Sequence, residues 1–351
     1  MMEAPPATIA AIGSPRHGES PMKSVASAVS VCLIAVGVIV LVPASVPARQ
    51  QIPFRSGSRT VAVHATVTDR DGRLVPNLAR EDFEIRDSGK PQPITVFSNE
   101  VQPITVVMML DRSSSMRGNF GLVEAAAEAF VRRLDPGDKA RIGSFAERIK
   151  IAPEDFTSDQ EEMIRILRSD LQPPGPTPLW NAVDEAISSL REREGRRVVL
   201  VFSDGGDAPM SLGLNNHSIM DVMRRAQQEN VMVYAVGLQT TVLRGSSGGL
   251  GGFSGGGLTS QRPDPALSRI AEDTGGGYFE MNRAENLAAT FAGVADELHH
   301  QYALGFEPPT LDDRLHKVEV KVSKPGMKVR ARKEYFAASE RRSVRPSPAG
   351  E

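Results

Sequence analysis

The stretch ITVVMMLDRSSSM, residues 104–116, decides how the chain is read. Its apolar part does not alternate with polar residues, so it reads as a strand buried on both faces, as in a parallel sheet covered by helices. It stops on Asp111, and hydroxyls follow at Ser113 and Ser115. Downstream, residues 119–134 place Leu122, Val123, Ala126, Phe130 and Leu134 at helical spacing and close on Asp135-Pro136-Gly137. ARIGSFA (140–146) is the next strand, and Ser158 with Glu161 has the capping-box spacing for a helix carrying Met163, Ile164 and Leu167. A helix over about 178–193 leads into the strand of RVVLVFSDG, and Ser218 with Asp221 opens another helix before the strand VMVYAVGL (231–238). A Gly/Ser-rich loop at 245–260 interrupts the alternation, which resumes with DPALSRIAEDTGGGYFEM and a last helix over about 284–299. Strands alternating with helices predict an α/β fold over 101–298, with a Rossmann-like, doubly wound, mostly parallel sheet.

The flanks follow another rule. Residues 49–100 and 299–337 are β-rich: RTVAVHATVTD, EDFEIRDSGKPQPITVF, QYALGFEP, HKVEVKVSK and KVRARKEYF alternate around Asp71-Gly72, Ser88-Gly89 and Pro325-Gly326. Either flank alone is marginal as a folding unit, so the expectation is that the two pair into one small β domain. Residues 338–351 read as a disordered basic tail.

A chain of 351 residues with 31 Gly and 25 Pro is neither collagen-like nor low-complexity, and it is long enough for one sizeable core and a smaller one. The net charge of −2 conceals an acidic body, −7 over 49–310, and a basic end, +5 over 311–351. That positive charge is not interleaved with stacking aromatics, which argues against a nucleic-acid partner. Cys32 is the single cysteine, so disulfide frameworks, thiolate zinc sites and CxxC redox centres are excluded.

Cys32 lies in VASAVSVCLIAVGVIVLV (25–42), an uncharged run preceded by Met22-Lys23 and followed by small residues up to Ala48. This is the order of a signal peptide over 1–48, with Met22 as an alternative start, and its length also suits an uncleaved N-terminal anchor. Both readings give an exported body that is periplasmic, secreted or at the cell surface, touching membrane only through that segment.

Asp111, Ser113 and Ser115 offer hard oxygen donors on one loop, and Thr177 in PPGPTPLW and Asp204 after VVLVF add two more. Such donors suit Mg²⁺ or Mn²⁺ better than zinc. The set DRSSSM, GPTPLWNAV and VFSDG closely resembles the metal-ion-dependent adhesion site of von Willebrand factor type A domains, and the flanking segments resemble those of bacterial exported proteins with such a domain. The resemblance implies that Ser113 and Ser115 contact the metal, that Thr177 does so directly or through water, and that Asp111 and Asp204 act largely through water. It also implies an open coordination position that takes an Asp or Glu of another protein, and first and fourth strands that adjoin at the topological switch point. Asn181 stands where many members have Asp, the Thr177 loop is rich in proline (Pro173, Pro174, Pro176, Pro178), and Asp207 is an alternative to Asp204.

The function expected is therefore metal-dependent protein binding without catalysis. The alternatives are a phosphoesterase-like metal-dependent hydrolase, for which no general base or nucleophile is evident, and a scaffold with a non-functional site. Gly252-Phe253-Ser254-Gly255-Gly256 matches GxSxG but sits in a Gly/Ser tract and not between a strand and a helix. His64, His217, His299, His300 and His316 lack metalloprotease spacing, and His299-His300 reads as a helix end. Trp180, beside the Thr177 loop, reads as core more than as a contact residue.

Overall fold

The computed structural model describes residues 60–169, 171–208, 216–243, 258–281 and 287–339. The apolar run at 25–42, the GxSxG match at 252–256 and most of the basic tail lie outside them.

Four strands come first: β1 (Val61–Thr68), β2 (Phe83–Asp87), β3 (Lys90–Gln92) and β4 (Ile94–Ser98). Ser88 and Gly89 both take positive φ, 48° and 83°, as the tight hairpin joining β2 to β3 requires. Then come β5 (Ile104–Asp111), α1 (Phe120–Val131), β6 (Lys139–Phe145), β7 (Ile149–Thr157), α2 (Gln160–Ser169), α3 (Leu179–Leu190) and β8 (Arg196–Ser203). After these lie α4 (Ile219–Gln228), β9 (Val231–Leu238), β10 (Thr240–Leu243), β11 (Leu258–Gln261), α5 (Pro265–Thr274), β12 (Tyr278–Met281) and α6 (Leu287–His299). The chain closes with β13 (Tyr302–Phe306), β14 (Leu315–Val322), β15 (Lys328–Ala331) and β16 (Glu334–Phe336).

The central sheet has the order β12-β9-β8-β5-β6-β7 and is parallel except for β7. All eight residues of β9 are buried, because helices cover both faces. Along β5 the neighbours part to opposite sides: Val106, Met108 and Leu110 enter the layer built with α1, α2 and α6, and Val107 and Met109 enter the layer with α3, α4 and α5. In the first layer Phe202 stacks on Phe291 with ring centroids 4.5 Å apart, a contact that contributes about 0.5–1.5 kcal/mol beyond its buried area.

Three details differ from the sequence reading, the first being the antiparallel strand β7, which it did not include. Asp159, and not Ser158, caps α2: its Oδ1 accepts from the N–H groups of Glu161 (3.0 Å) and Glu162 (3.1 Å), while Ser218 and Asp221 do form the expected box at α4. The Gly-rich interruption is flanked by an antiparallel pair, β10 with β11, so residues 258–260 are strand.

The flanking strands form two antiparallel sheets that mix both ends of the chain, β15-β1-β13-β4 and β16-β14-β2-β3. Here β2 alternates buried and half-buried residues, as a strand with one covered face does, and the covered faces share a core of Val63, Phe83, Ile85, Tyr302 and Phe306.

This β module meets the central domain through polar groups near the N-terminal ends of the central strands. Arg332 Nη2 of the module donates to Gln227 O in α4 at 2.6 Å, and Lys333 Nζ pairs with Asp273 in α5 at 2.8 Å. Glu297 Oε1 accepts from Tyr234 Oη (2.5 Å), Thr66 Oγ1 (3.3 Å) and Arg330. Gln301 Nε2 donates to Thr66 Oγ1 (3.1 Å) and Tyr234 Oη (2.9 Å). The C-terminal ends of β5 and β8, about 25 Å away at 3.3 Å per residue, are left for the site.

Candidate metal centre

Leu110 and Phe202 are paired across β5 and β8, so Asp111 and Ser203 leave the sheet side by side. Asp111 is 1% exposed, and each of its oxygens has a donor: Ser113 N–H reaches Oδ1 at 2.7 Å and Ser203 Oγ reaches Oδ2 at 2.5 Å. Burial pushes the Asp111 carboxyl up to about 7, helped by the Asp204 charge and opposed by the hydrogen bonds from Ser113 and Ser203. Ser203 Oγ in turn accepts from Gly205 N–H at 2.9 Å, which joins Asp111 to the turn carrying Asp204.

The loop after β5 is held against its neighbours by its backbone. Arg112 N–H donates to Phe145 O at 2.9 Å, Ser114 N–H to Gly175 O at 3.1 Å, and Gly175 N–H to Arg112 O at 3.2 Å. A side chain at Gly175 would bring its Cβ to 2.8 Å from Glu147 N, so only glycine lets the proline-rich segment approach this closely. The Arg112 side chain adds a clamp: its guanidinium lies 3.8 Å over the Phe120 ring, donates to Gln172 O at 2.9 Å and pairs with Glu124. Within the loop the Ser113 and Ser115 hydroxyls are 3.0 Å apart. They present adjacent hard donors.

Thr177 is fixed by paired backbone bonds with Ala208, 3.1 Å and 2.8 Å. Asp204 Oδ1 accepts from Gly206 N–H at 3.1 Å. Asp207 is engaged elsewhere: its Oδ1 accepts from Leu179 N–H at 3.0 Å and caps α3. Asn181 Oδ1 accepts from His217 N–H at 2.8 Å and so ties α3 to that segment, and Trp180 is buried in the second core layer. Gly205 has φ +85°, and a Cβ there would stand 2.6 Å from Asp264 Cβ, because Asp264 N–H donates to Asp204 O at 3.0 Å.

Ser115, Thr177 and Asp204 line one cleft of about 750 Å³, while Asp111 and Ser113 lie buried at the foot of the same loop. The far wall is formed by Arg262, Asp264, Tyr278 and Glu280. Ser203, Arg112 and Gly205 were not singled out from the sequence; the signal for Ser203 is its place beside Asp204 on the strand next to β5. Among the described residues no three or more His, Cys, Asp or Glu side chains cluster as a metal would need, so a cation in this cleft depends on hydroxyl donors.

Comparison with known proteins agrees with this fold. The family model described as von Willebrand factor type A domain matches residues 105–292. No curated protein matches the chain. Among solved structures, an aerotolerance-related membrane protein of Bacteroides fragilis, a variant with multiple mutations to serine, is similar at 20% identity with a TM-score of 0.42, covering 56% of this chain and 98% of that one. The vWF domain of the type V pili tip protein Mfa5 of Porphyromonas gingivalis is similar at 14% identity with a TM-score of 0.40, covering 56% and 95%. Proximal thread matrix protein 1 of the mussel byssus, in a form with a zinc-occupied MIDAS motif, is similar at 15% identity with a TM-score of 0.42, covering 59% and 48%. Since the family model spans more than half of the 351 residues, the chain belongs to the von Willebrand factor type A domain family.

Proposed function

We propose that the chain is an exported protein-binding protein whose cleft captures an acidic side chain of another protein with the help of a divalent cation, Mg²⁺ or Mn²⁺. The observation that carries this reading is the convergence of Ser115, Thr177 and Asp204 on one cleft over a buried, doubly hydrogen-bonded Asp111. Ser113 and Ser115 would hold the cation directly and Thr177 directly or through water, with Asp111 and Asp204 acting through water. When bound, the cation offers an electrophilic position to a carboxylate. Two carboxylates balance its charge and do not exceed it, which preserves attraction for one more anionic oxygen. Asp204 is favoured over Asp207 because the latter caps α3.

Among the described residues no histidine lines the cleft and no nucleophile is paired with a base there, which supports binding over hydrolysis. Export rests on the apolar run at 25–42. Among the described residues no helix is long and apolar enough to cross a membrane.

Calorimetric titration of the chain with Mn²⁺ and Mg²⁺, beside Asp111→Ala and Ser113→Ala, tests the reading. The expected result is one ion per chain in the parent and none in the variants. Absence of binding at millimolar metal, or equal binding by the variants, would overturn it.

A further inference from the structure

We propose that Arg262 and Tyr278 form a second anion-holding station in the cleft, so that the preferred partner segment carries two carboxylates, one for the end at Ser115, Thr177 and Asp204 and one for this pair. The inference deepens the metal-dependent reading and rests on it.

The cleft has the size of pockets that enclose ligands, about 300–1,000 Å³, and so has room for more than one carboxylate. Its charged groups are not equally free. Asp204 Oδ1 accepts from Gly206 N–H at 3.1 Å, Asp264 Oδ1 accepts from Ala266 N–H at 2.8 Å and caps α5, and Glu280 Oε1 accepts from Gln239 Nε2 at 3.2 Å. Each acid on the wall therefore already has a donor. Arg262 is exposed and, among the described residues, forms no ion pair and donates no hydrogen bond; the Tyr278 hydroxyl likewise has no partner there. The unmet donor capacity of the wall is that of a guanidinium with five N–H groups and one phenol, a set that fits a carboxylate.

Both groups are held in place. Arg262 precedes Pro263-Asp264-Pro265, and Asp264 is bonded through its backbone to Asp204 O at 3.0 Å. The Arg262 Cα is thus within about 7 Å of the Asp264 Cα, two residues along the chain. Tyr278 opens β12 beside Gly237, where a Cβ would stand 2.6 Å from the Tyr278 hydroxyl and 2.8 Å from Pro263 Cβ. Glycine at that position lets the ring and the proline close over the strand. A second carboxylate one to three residues from the first is within reach of this pair.

The test uses the full chain loaded with Mn²⁺ and flexible Gly/Ser peptides with blocked ends. One peptide carries a single Asp, three add a Glu one, two or three residues after it, and three add a Lys at the same places. At least one Glu peptide is expected to bind about tenfold or more tighter than the single-Asp peptide, as a charge-assisted bond to Arg262 allows. Arg262→Gln should remove that gain and Tyr278→Phe should reduce it, with Mn²⁺ affinity and single-Asp affinity unchanged in both. A gain that survives Arg262→Gln, the lack of any gain, or a gain for the Lys peptides would overturn the inference while the metal-dependent reading stands. Single-Asp binding that is absent, or equal after chelation of the metal, would overturn that reading itself and this inference with it.

Discussion

Ser203 Oγ donates to Asp111 Oδ2 across 2.5 Å, and this bond joins the C-terminal ends of β8 and β5 at the base of the site. Ser203→Ala removes it and also leaves Gly205 N–H without its acceptor. The expected cost is about 1–3 kcal/mol of stability, as for a buried acceptor left unsatisfied. Cation affinity should fall by about tenfold, as for other groups that orient a metal-binding side chain. Chemical denaturation and calorimetric titration of the variant check the two effects separately.

Gly205→Ala tests the turn that carries Asp204. An alanine must adopt φ +85° and also place its Cβ 2.6 Å from Asp264 Cβ and 2.8 Å from Asp264 N. The left-handed conformation alone costs about 1–2 kcal/mol. Relief of the clash should move the 262–265 segment away from Asp204, so thermal unfolding should fall and cation affinity with it. Gly206→Ala is the control: its Cβ meets only Asp204 Oδ1, at 3.3 Å, and a variant as damaged as Gly205→Ala would refute the argument.

His299 ends α6 as expected, but its ring is buried and shares a proton with Asp138 Oδ2 at 2.7 Å. Burial lowers its pKa, and the bond and charge of Asp138, with Asp135 farther off at 3.9 Å, outweigh burial and the opposing Arg196, so that the net shift is upward from 6.5. A folded-state pKa above the unfolded value stabilises fully below about 6.5 and loses that contribution as pH rises through the raised value. The stability difference between the parent and His299→Gln, followed by urea unfolding from pH 6 to 9, should be largest at the acidic end and narrow upward. A constant difference would show that the charged pair does not contribute.

Glu297→Gln probes the junction between the β module and the central domain. The amide keeps the shape and still accepts from Tyr234, but Arg330 loses its counter-charge. Breaking a fully buried pair costs about 3–5 kcal/mol; with the Arg330 side chain 31% exposed, a loss of about 2 kcal/mol is expected by denaturant unfolding. Binding in the cleft should be unchanged, because the junction lies at the opposite ends of the central strands.

The central sheet was legible because strands buried on both faces leave uninterrupted apolar runs, as in β8 and β9. The antiparallel β7 was not: it is an edge strand holding Pro153, Glu154 and Asp155, with half-buried and exposed residues throughout, so it carries neither an apolar run nor a clean alternation. Asp159 and Ser158 are both good caps, and only the backbone direction at α2 chooses between them. Asp111, Ser113, Ser115, Thr177 and Asp204 could be picked out as a set because DRSSSM, GPTPLWNAV and VFSDG resemble, in that order, the metal-ion-dependent adhesion site of von Willebrand factor type A domains. The part of Ser203 could not, since it depends on the register of β5 against β8. Arg262 and Tyr278 reach the cleft across the β10–β11 pair and the α5 turn, a relationship that exists only once the chain is folded.

The positions of residues 60 and 339 have a mechanical consequence. Val61 pairs with Phe306, at the end of β13 away from α6, and Ser339 N–H bonds Asp313 in the connection after β13. Tension between a partner seated in the cleft and a tether at either of these points would run along β5 and β8, lengthwise to strands whose hydrogen bonds must then shear together and not open one by one. It would next cross the junction, where the side-chain bonds of Glu297 and Arg332 share the load with the two places at which the chain itself passes between the modules, 98–104 and 299–302. Under pulling, the first contacts to yield are therefore expected to be these side-chain bonds, with the sheet and its cleft still intact.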